Sequence, residues 1–292
     1  MQRPIHCVAL VVVSTAIAAA GNTAFARDTY RFTASKPQVG DKSQQELRFL
    51  LDVKMTVSQS GQIVYTSDGN VERTQSRQIE VLETREGKST KAKVAFDTSE
   101  QVTSQKDRPP AATQLPVAGK TYVAERVGEE LVVTDERGNK PTDEELTIIA
   151  PGMEALGRAN PLAAFFDGRT VEVGETVHLP NQVAKELFGS WDQLGEVTKL
   201  DLLLLGTQTV EGAKCALFHT KIEVKPPKSD GPALQIQGKF LIEIATCRTA
   251  QVELSGPMST SQVRGEGMSQ FTVKRRGSME IAVQTRHDST TR

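Results

Sequence analysis

Few side chains in this sequence have a type and spacing that could do chemistry. His178, His219 and His287 lie on or near three separate predicted strands, with no metal-ligand motif around them. An isolated histidine on a strand is ordinarily a surface or core residue. Gly119-Lys120-Thr121 resembles the end of a phosphate-binding loop, but that motif needs a glycine five positions earlier, where Gln114 stands. Gly267-Met268-Ser269-Gln270-Phe271 begins like a nucleophile elbow and lacks its closing glycine. The tight acidic run Asp143-Glu144-Glu145 fits the first turn of a helix, where carboxylates meet the positive end of the macrodipole. No haem, nucleotide or transition-metal signature is present. The sequence therefore assigns no catalytic residue, no metal ligand and no cofactor.

Two cysteines remain once the leader described next is set aside, Cys215 and Cys247. In an oxidising compartment such a pair is expected to form a disulfide, with two buried free thiols as the alternative. The strand register bears on this. If Val224 lies opposite Leu234, counting outward puts Cys215 opposite Glu243, four residues short of Cys247. The bridge then requires a wider connection or bulges.

The leader is residues 1–26. Arg3 supplies a positive start, Cys7 to Gly21 carry no charge, and Ala24-Phe25-Ala26 offers a small-x-small cleavage site between Ala26 and Arg27. The apolar run is short of the roughly 20 strongly apolar residues of a membrane span, an uncleaved anchor being the alternative. The expected location is periplasmic or extracellular. With 35 basic and 36 acidic residues and no block of like charge, nucleic acid and acidic lipid are poor partners. Aromatic residues make up 5% of the chain, with one tryptophan, which argues against sugar- or base-stacking and against the aromatic girdles of an outer-membrane barrel.

The elements that must position any site are mostly strands. Leu47, Phe49, Leu51, Val53, Met55 and Val57 alternate with polar residues, a period of two that marks a half-buried strand. Turns are predicted at Ser60-Gly61, Asp68-Gly69-Asn70, Glu86-Gly87-Lys88, Gly128-Glu129, Gly212 and Arg275-Arg276-Gly277-Ser278. Prolines 109, 110 and 116 predict a surface loop over 106–116, and a boundary between two lobes is placed near 106–118. Thr142 with Glu145 is a capping-box pattern, and Pro151 either stops that helix or opens a second short one through Met153 and Leu156. Asn160-Pro161 starts a short apolar piece ending at Asp167-Gly168, and Val183, Ala184, Leu187 and Phe188 share a face of a further helix. Strands are predicted at 171–179 and again from 197 onward, including the continuous apolar run Leu202 to Leu205. The expectation is a mainly β fold, one domain over 27–292, with a large curved antiparallel sheet like a half-open barrel and two or three short helices.

Val173-Gly174-Glu175-Thr176-Val177, a short helix, and then long strands at 200–209, 215–224, 234–246 and 251–254 resemble uncharacterised secreted β-rich proteins of bacteria. Their layout is similar to the lipoprotein-carrier type of half-open barrel. That resemblance implies a curved sheet wrapping short helices around an acyl chain or another apolar ligand, and it carries no functional residues over. The expected function is an exported soluble protein that binds an apolar small molecule or an envelope protein, with no integral membrane span. The candidate ligand-lining residues are Leu187, Phe188, Leu202 and Leu204. The alternatives are an envelope-associated structural protein with no small ligand and, less favoured, an enzyme whose site is assembled from scattered polar residues. Cleavage after Ala26 makes a definite prediction: N-terminal sequencing of the exported protein should begin at Arg27, and an intact Met1 would overturn it.

Overall fold

The structure is a computed structural model that describes residues 28–106, 108–188, 196–225, 234–266 and 270–288, without the side chains of Phe188 and Thr260. The leader, its cleavage site at Ala26 and Arg27, and Trp191 lie outside the described residues. Fourteen strands and three short helices are described. The first wing of the chain holds β1 (Thr29–Arg31), β2 (Lys42–Gln59), β3 (Gln62–Arg85), β4 (Lys88–Gln105), β5 (Arg108–Gln114), β6 (Thr121–Val127) and β7 (Glu130–Asp135). Then come α1 (Asp143–Met153), α2 (Pro161–Phe166), β8 (Thr170–Glu172), β9 (Thr176–His178) and α3 (Asn181–Phe188). The second wing is β10 (Glu196–Val210), β11 (Ala213–Lys225), β12 (Leu234–Glu243), β13 (Thr249–Arg264) and β14 (Phe271–Asp288).

One antiparallel sheet takes nearly all of them, in the order β7-β6-β4-β3-β2-β14-β13-β12-β11-β10-β9, with β5 branching off β4 and β1 pairing β8 separately. The sheet is curved and stays open, with β7 and β9 at its two ends. Three of its hairpins use the same device. Ser60-Gly61, Glu86-Gly87 and Glu211-Gly212 each place two consecutive residues at positive φ, the geometry of a two-residue hairpin whose twist matches that of the strands. Glycine at the second position carries no Cβ penalty there. The two wings meet at the centre, where β2 and β14 pair along their whole length from Lys42↔Asp288 to Gln59↔Phe271.

The helices pack on one face of this sheet and at its two ends. Near β7, α1 closes a core of Ala92, Val94, Phe96, Val117, Tyr122, Ala124 and Ile149. Near β9, α2 and α3 close a larger core that includes Leu162, Phe166, Val177, Leu200, Leu204, Phe218 and Ile242. Phe32, just past β1, stacks into this second core, with ring centroids 4.8 Å from Phe166 and 6.1 Å from Phe218. That contact fastens the N-terminal segment and α2 to β11 at once.

A charged residue fixes α1. The capping box forms as its sequence predicts: Glu145 N–H donates to Thr142 Oγ1 (3.3 Å), and Thr142 N–H donates back to Glu145 Oε2 (2.7 Å). The other carboxylate oxygen, Oε1, accepts from Lys120 Nζ (2.7 Å) and from Tyr122 O–H (2.8 Å), tying the helix start to β6 and the residue before it. The Lys120 ammonium and the Thr142 amide hold the Glu145 carboxyl well below its ordinary 4.5, at about 2.

Several expected boundaries move. The turn at Asp68-Gly69-Asn70 is absent, since β3 runs straight through and Gly69 pairs with both Val53 and Gln105. The turn at Arg275–Ser278 is likewise absent: β14 is continuous, and a Cβ on Gly277 would collide with the Asp52 carbonyl across the ladder. These glycines permit close backbone approach within a curved sheet. β13 also runs unbroken through Pro257, beyond the last β12 pairing at Ser255, so among the described residues proline sits on an edge where no ladder bond to β12 is lost. Pro109 and Pro110 fall in the exposed branch strand β5 for the same reason, where a loop is expected from the sequence. The single strand expected at 171–179 is split at Gly174 (φ +90°) into β8 and β9, which join different sheets. Across the 106–118 stretch, β4 and β6 pair with each other in one sheet.

The expected disulfide is corrected too. Cys215 and Cys247 are both free and buried. The register is the short one, Val224↔Leu234 through Cys215↔Glu243. Strand alternation points Cys215 away from the helix-side core and into a small cluster with Leu241 and Ala250, whereas Cys247 belongs to the helix-side core. The sheet itself separates them.

Two measurements follow from these contacts. Burial pushes both thiols up to about 11, assisted by Glu243 beside Cys215 and Asp167 beside Cys247. A thiol reagent should therefore label native protein very slowly and titrate two thiols after unfolding, and an intact mass of an oxidised pair would overturn this. Because the Glu145 carboxyl is depressed in the folded state, its contribution to stability is complete above pH 4.5 and is lost as pH falls towards 2. Glu145→Gln should cost about 2 kcal/mol at pH 7 and flatten the loss of stability between pH 4.5 and 2, read by chemical denaturation. Equal pH slopes in the two proteins would refute the assignment.

Candidate ligand-binding site

The Glu145 group is closed: its two oxygens accept four hydrogen bonds, and burial with the Glu145 contact raises the Tyr122 phenol far above neutrality. Neither group can trade a proton near pH 7, so this cluster is a clamp. A second group sits at the β9 end of the sheet. His178 Nδ1 lies 2.6 Å from Asp201 Oδ1, and Lys199 Nζ donates to Asp201 Oδ2 at 2.9 Å. Burial opposes the Asp201 charge, but the His178 and Lys199 contacts outweigh it and hold the carboxyl below its ordinary range. The His178 side chain is 70% exposed and lines neither of the two clefts described below, so this His–carboxylate pair faces solvent.

His287 Nε2 and Ser35 Oγ are buried without a hydrogen-bond partner, and since neither bonds the other they do not form a nucleophile–base pair. Burial and the nearby Arg248 push the His287 pKa down, keeping the ring neutral. Among the described residues no three His, Cys, Asp or Glu side chains gather as a metal would require.

The apolar residues expected to line a pocket are placed as follows. Leu202 and Leu204 are fully buried in the larger core, beside Phe218 and Ala184. Leu187 is half-buried at the edge of that core. Phe188 closes α3, and its side chain lies outside what is described. The structure thus brings Leu187, Leu202 and Leu204 into one packed cluster beneath α3.

A different surface is left open. The closest helix packing falls on β7 and β10, so the central band β3-β2-β14 lies between the two helix-covered ends. The helix-side face of that band is the alternating row of β2. Phe49 and Leu51 are packed against the larger core. Leu47, Val53, Met55 and Val57 are half-buried and belong to no core cluster. Their cross-strand neighbours continue the strip: Val283 opposite Leu47, and Val273 opposite Val57. Deeper in the band its polar edge begins. Gln75 Nε2 donates to Ser99 Oγ (3.1 Å), and Arg77 donates twice to Gln45 Oε1 (3.0 and 2.8 Å). Burial lowers the Arg77 pKa to about 10. Sequence reasoning found this row as a strand pattern but had no signal for which part of it a helix would cover.

The opposite face of the same band is polar. One open cleft of about 590 Å³ is bordered by Asp52, Lys54, Asp68, Ser104 and Arg276 around Gly69 and Gly277. Another, of about 450 Å³, is bordered by Glu46, Arg48, Thr74, Gln251 and Gln284. The central band therefore presents an apolar strip on one side and charged, hydroxyl-rich clefts on the other. Among the described residues no helix is long and apolar enough to cross a membrane.

Comparison with known proteins adds little to this geometry. No family model and no curated protein matches the chain. Among solved structures, one described as lipid–protein interactions in lipovitellin aligns at 7% identity with a TM-score of 0.37, over 85% of this chain and 26% of that one. This chain thus spans about a quarter of that protein, and at such a score the likeness carries no argument about ligand or role.

Proposed function

We propose that this chain is an exported, non-catalytic binding protein that takes an apolar ligand, such as an acyl chain, on the helix-side face of its central band. The observation that carries the reading is the half-buried row Leu47, Val53, Met55 and Val57, which lies outside every packed cluster between two helix-covered ends. An apolar strip of this kind gains roughly 25 cal/mol for every Å² that a ligand removes from water. The ligand would lie along the strands rather than beneath α3, where Leu202 and Leu204 already fill a core. Among the described residues no nucleophile hydrogen-bonds a general base, which fits binding better than turnover. The export signal read at Ala24-Phe25-Ala26 places the protein in the cell envelope or outside the cell under this proposal.

The test is titration of the protein with a fluorescent fatty acid. Wild type should bind it, and Leu47→Gln with Val53→Gln should weaken binding about tenfold or more, equivalent to about 1.4 kcal/mol. Leu187→Ala should lower stability by about 2 kcal/mol and leave the affinity unchanged, because α3 closes a filled core. A wild-type protein that never binds the probe, and that carries no lipid by native mass spectrometry when purified from its own host, would defeat the reading in favour of a purely structural role.

A further inference from the structure

The sheet carries a lobe that no helix covers among the described residues. β4 ends at Gln105, paired with Gly69, and β12 pairs β13 only as far as Ser255. Beyond those points four strand segments, 62–68, 53–59, 271–277 and 257–264, run on together as a four-stranded extension whose two outer edges pair with no strand among the described residues. Its outer end is apolar and exposed: Ile63 at 70%, Val64 at 59%, Tyr65 at 53% and Val263 at 59%. Within residues 53–68 and 257–277 the sequence holds five basic residues and two acidic ones, in a chain that is otherwise slightly acidic.

Register orders these residues into rows on the face away from the helices. The outermost row is Ile63, Ser58, Thr272 and Val263. One step inward, about 7 Å along the strands, is Thr66, Thr56, Lys274 and Ser261. The next row sets Lys54 directly opposite Arg276, flanked by Asp68 and Ser259. Like charges facing each other across a ladder weaken a sheet, and none of Lys54, Lys274 and Arg276 takes part in an ion pair among the described residues. Asp68 opposite Lys54 and Asp52 in the neighbouring row share this face, but among the described residues neither closes an ion pair with these cations.

We infer that this lobe docks on an anionic lipid surface, with Ile63 and Val263 entering the headgroup region on the face that carries Lys54, Lys274 and Arg276, Tyr65 entering from the opposite face beside Val57, and the three cations reaching lipid phosphates behind them. The layout matches the physics of the interface. Apolar and tyrosine side chains sit at headgroup depth, and long cationic side chains extend past apolar neighbours to keep their charges in the polar layer. The charge balance of the whole chain hides the site, since Lys54 of β2 meets Lys274 and Arg276 of β14 only through strand pairing. The inference goes beyond the ligand-binding proposal, because docking requires nothing of Leu47 or Val53.

Vesicle co-sedimentation tests it, using the purified protein with liposomes of phosphatidylcholine alone or with 30% phosphatidylglycerol. Binding is expected to the anionic vesicles and to fall steeply in high salt. Removing three charges in Lys54→Gln/Lys274→Gln/Arg276→Gln should weaken it on the order of 100-fold. Ile63→Ser/Val263→Ser should weaken it separately, while fatty-acid binding and the far-ultraviolet circular dichroism stay those of wild type. Equal binding to neutral and anionic vesicles, no vesicle binding at all, or binding indifferent to both variants would overturn the inference. Wild-type dimerisation by analytical ultracentrifugation, abolished by Ile63→Ser/Val263→Ser without vesicle binding, would overturn it by assigning the lobe to a second copy of the chain.

Discussion

Everything in this fold hangs on the ladder between β2 and β14. These strands come from opposite ends of the described chain, and they pair over 18 residues without a register shift. Closing a loop of more than 200 residues carries an entropic cost that local contacts do not meet, so the ladder has to be specified strongly by its side chains. The specification is visible in the pairs Leu47↔Val283, Phe49↔Ile281 and Leu51↔Met279, which put apolar residues opposite one another on the helix side. A slip by one residue would turn the β2 row to the polar face and set it against Lys274 and Arg276. With the ladder in place, each wing needs only sequential hairpins and its own helices to complete a core.

That division explains why the helices lie at the ends. α1 finishes the wing that ends in β7, and α2 with α3 finishes the wing that begins at β9. The central band is shared by both wings and meets a helix at its Arg77 end, where Gly152 of α1 packs against the Arg77 guanidinium. Phe49 and Leu51 pack against the larger core, while Leu47, Val53, Met55 and Val57 belong to no cluster.

Local chemistry made much of this legible in sequence. Ser60-Gly61 and Glu86-Gly87 read correctly as turns, the β2 alternation read as a strand, and Thr142 with Glu145 read as a helix start. Gly69, Gly277 and Pro257 read wrongly as breaks or escaped notice as strand residues. A glycine with negative φ in a strand and a glycine in a turn look alike until the strand beside it is known, and proline is harmless only where no neighbour needs its missing N–H. The candidate site was legible in its residue types and not in its cover. Leu202 and Leu204 are apolar whether they line a pocket or fill a core, and only the placement of α2 and α3 decides which. The Cys215–Cys247 pairing failed for a related reason, since faces of a sheet are assigned by register and the short register separates the two sulfurs.

An uncovered apolar lobe is also a hazard, and how the hazard is contained bears on what the lobe is for. Free sheet edges invite pairing with another chain unless charge, proline or irregularity blocks them. Along β13 the free edge carries Pro257 and ends in Arg264. Along β3 it carries Asp68, and Val64 falls in a register shift between Val57↔Tyr65 and Ser58↔Ile63. Both edges are thus interrupted against strand addition, whereas the outer end with Ile63, Tyr65 and Val263 is left bare. Protection that spares the tip while guarding the edges separates two kinds of contact. Backbone pairing with another sheet is disfavoured, and side-chain burial at the tip remains open. The pattern admits a surface that takes side chains without offering a strand, and a lipid headgroup layer is a surface of that kind.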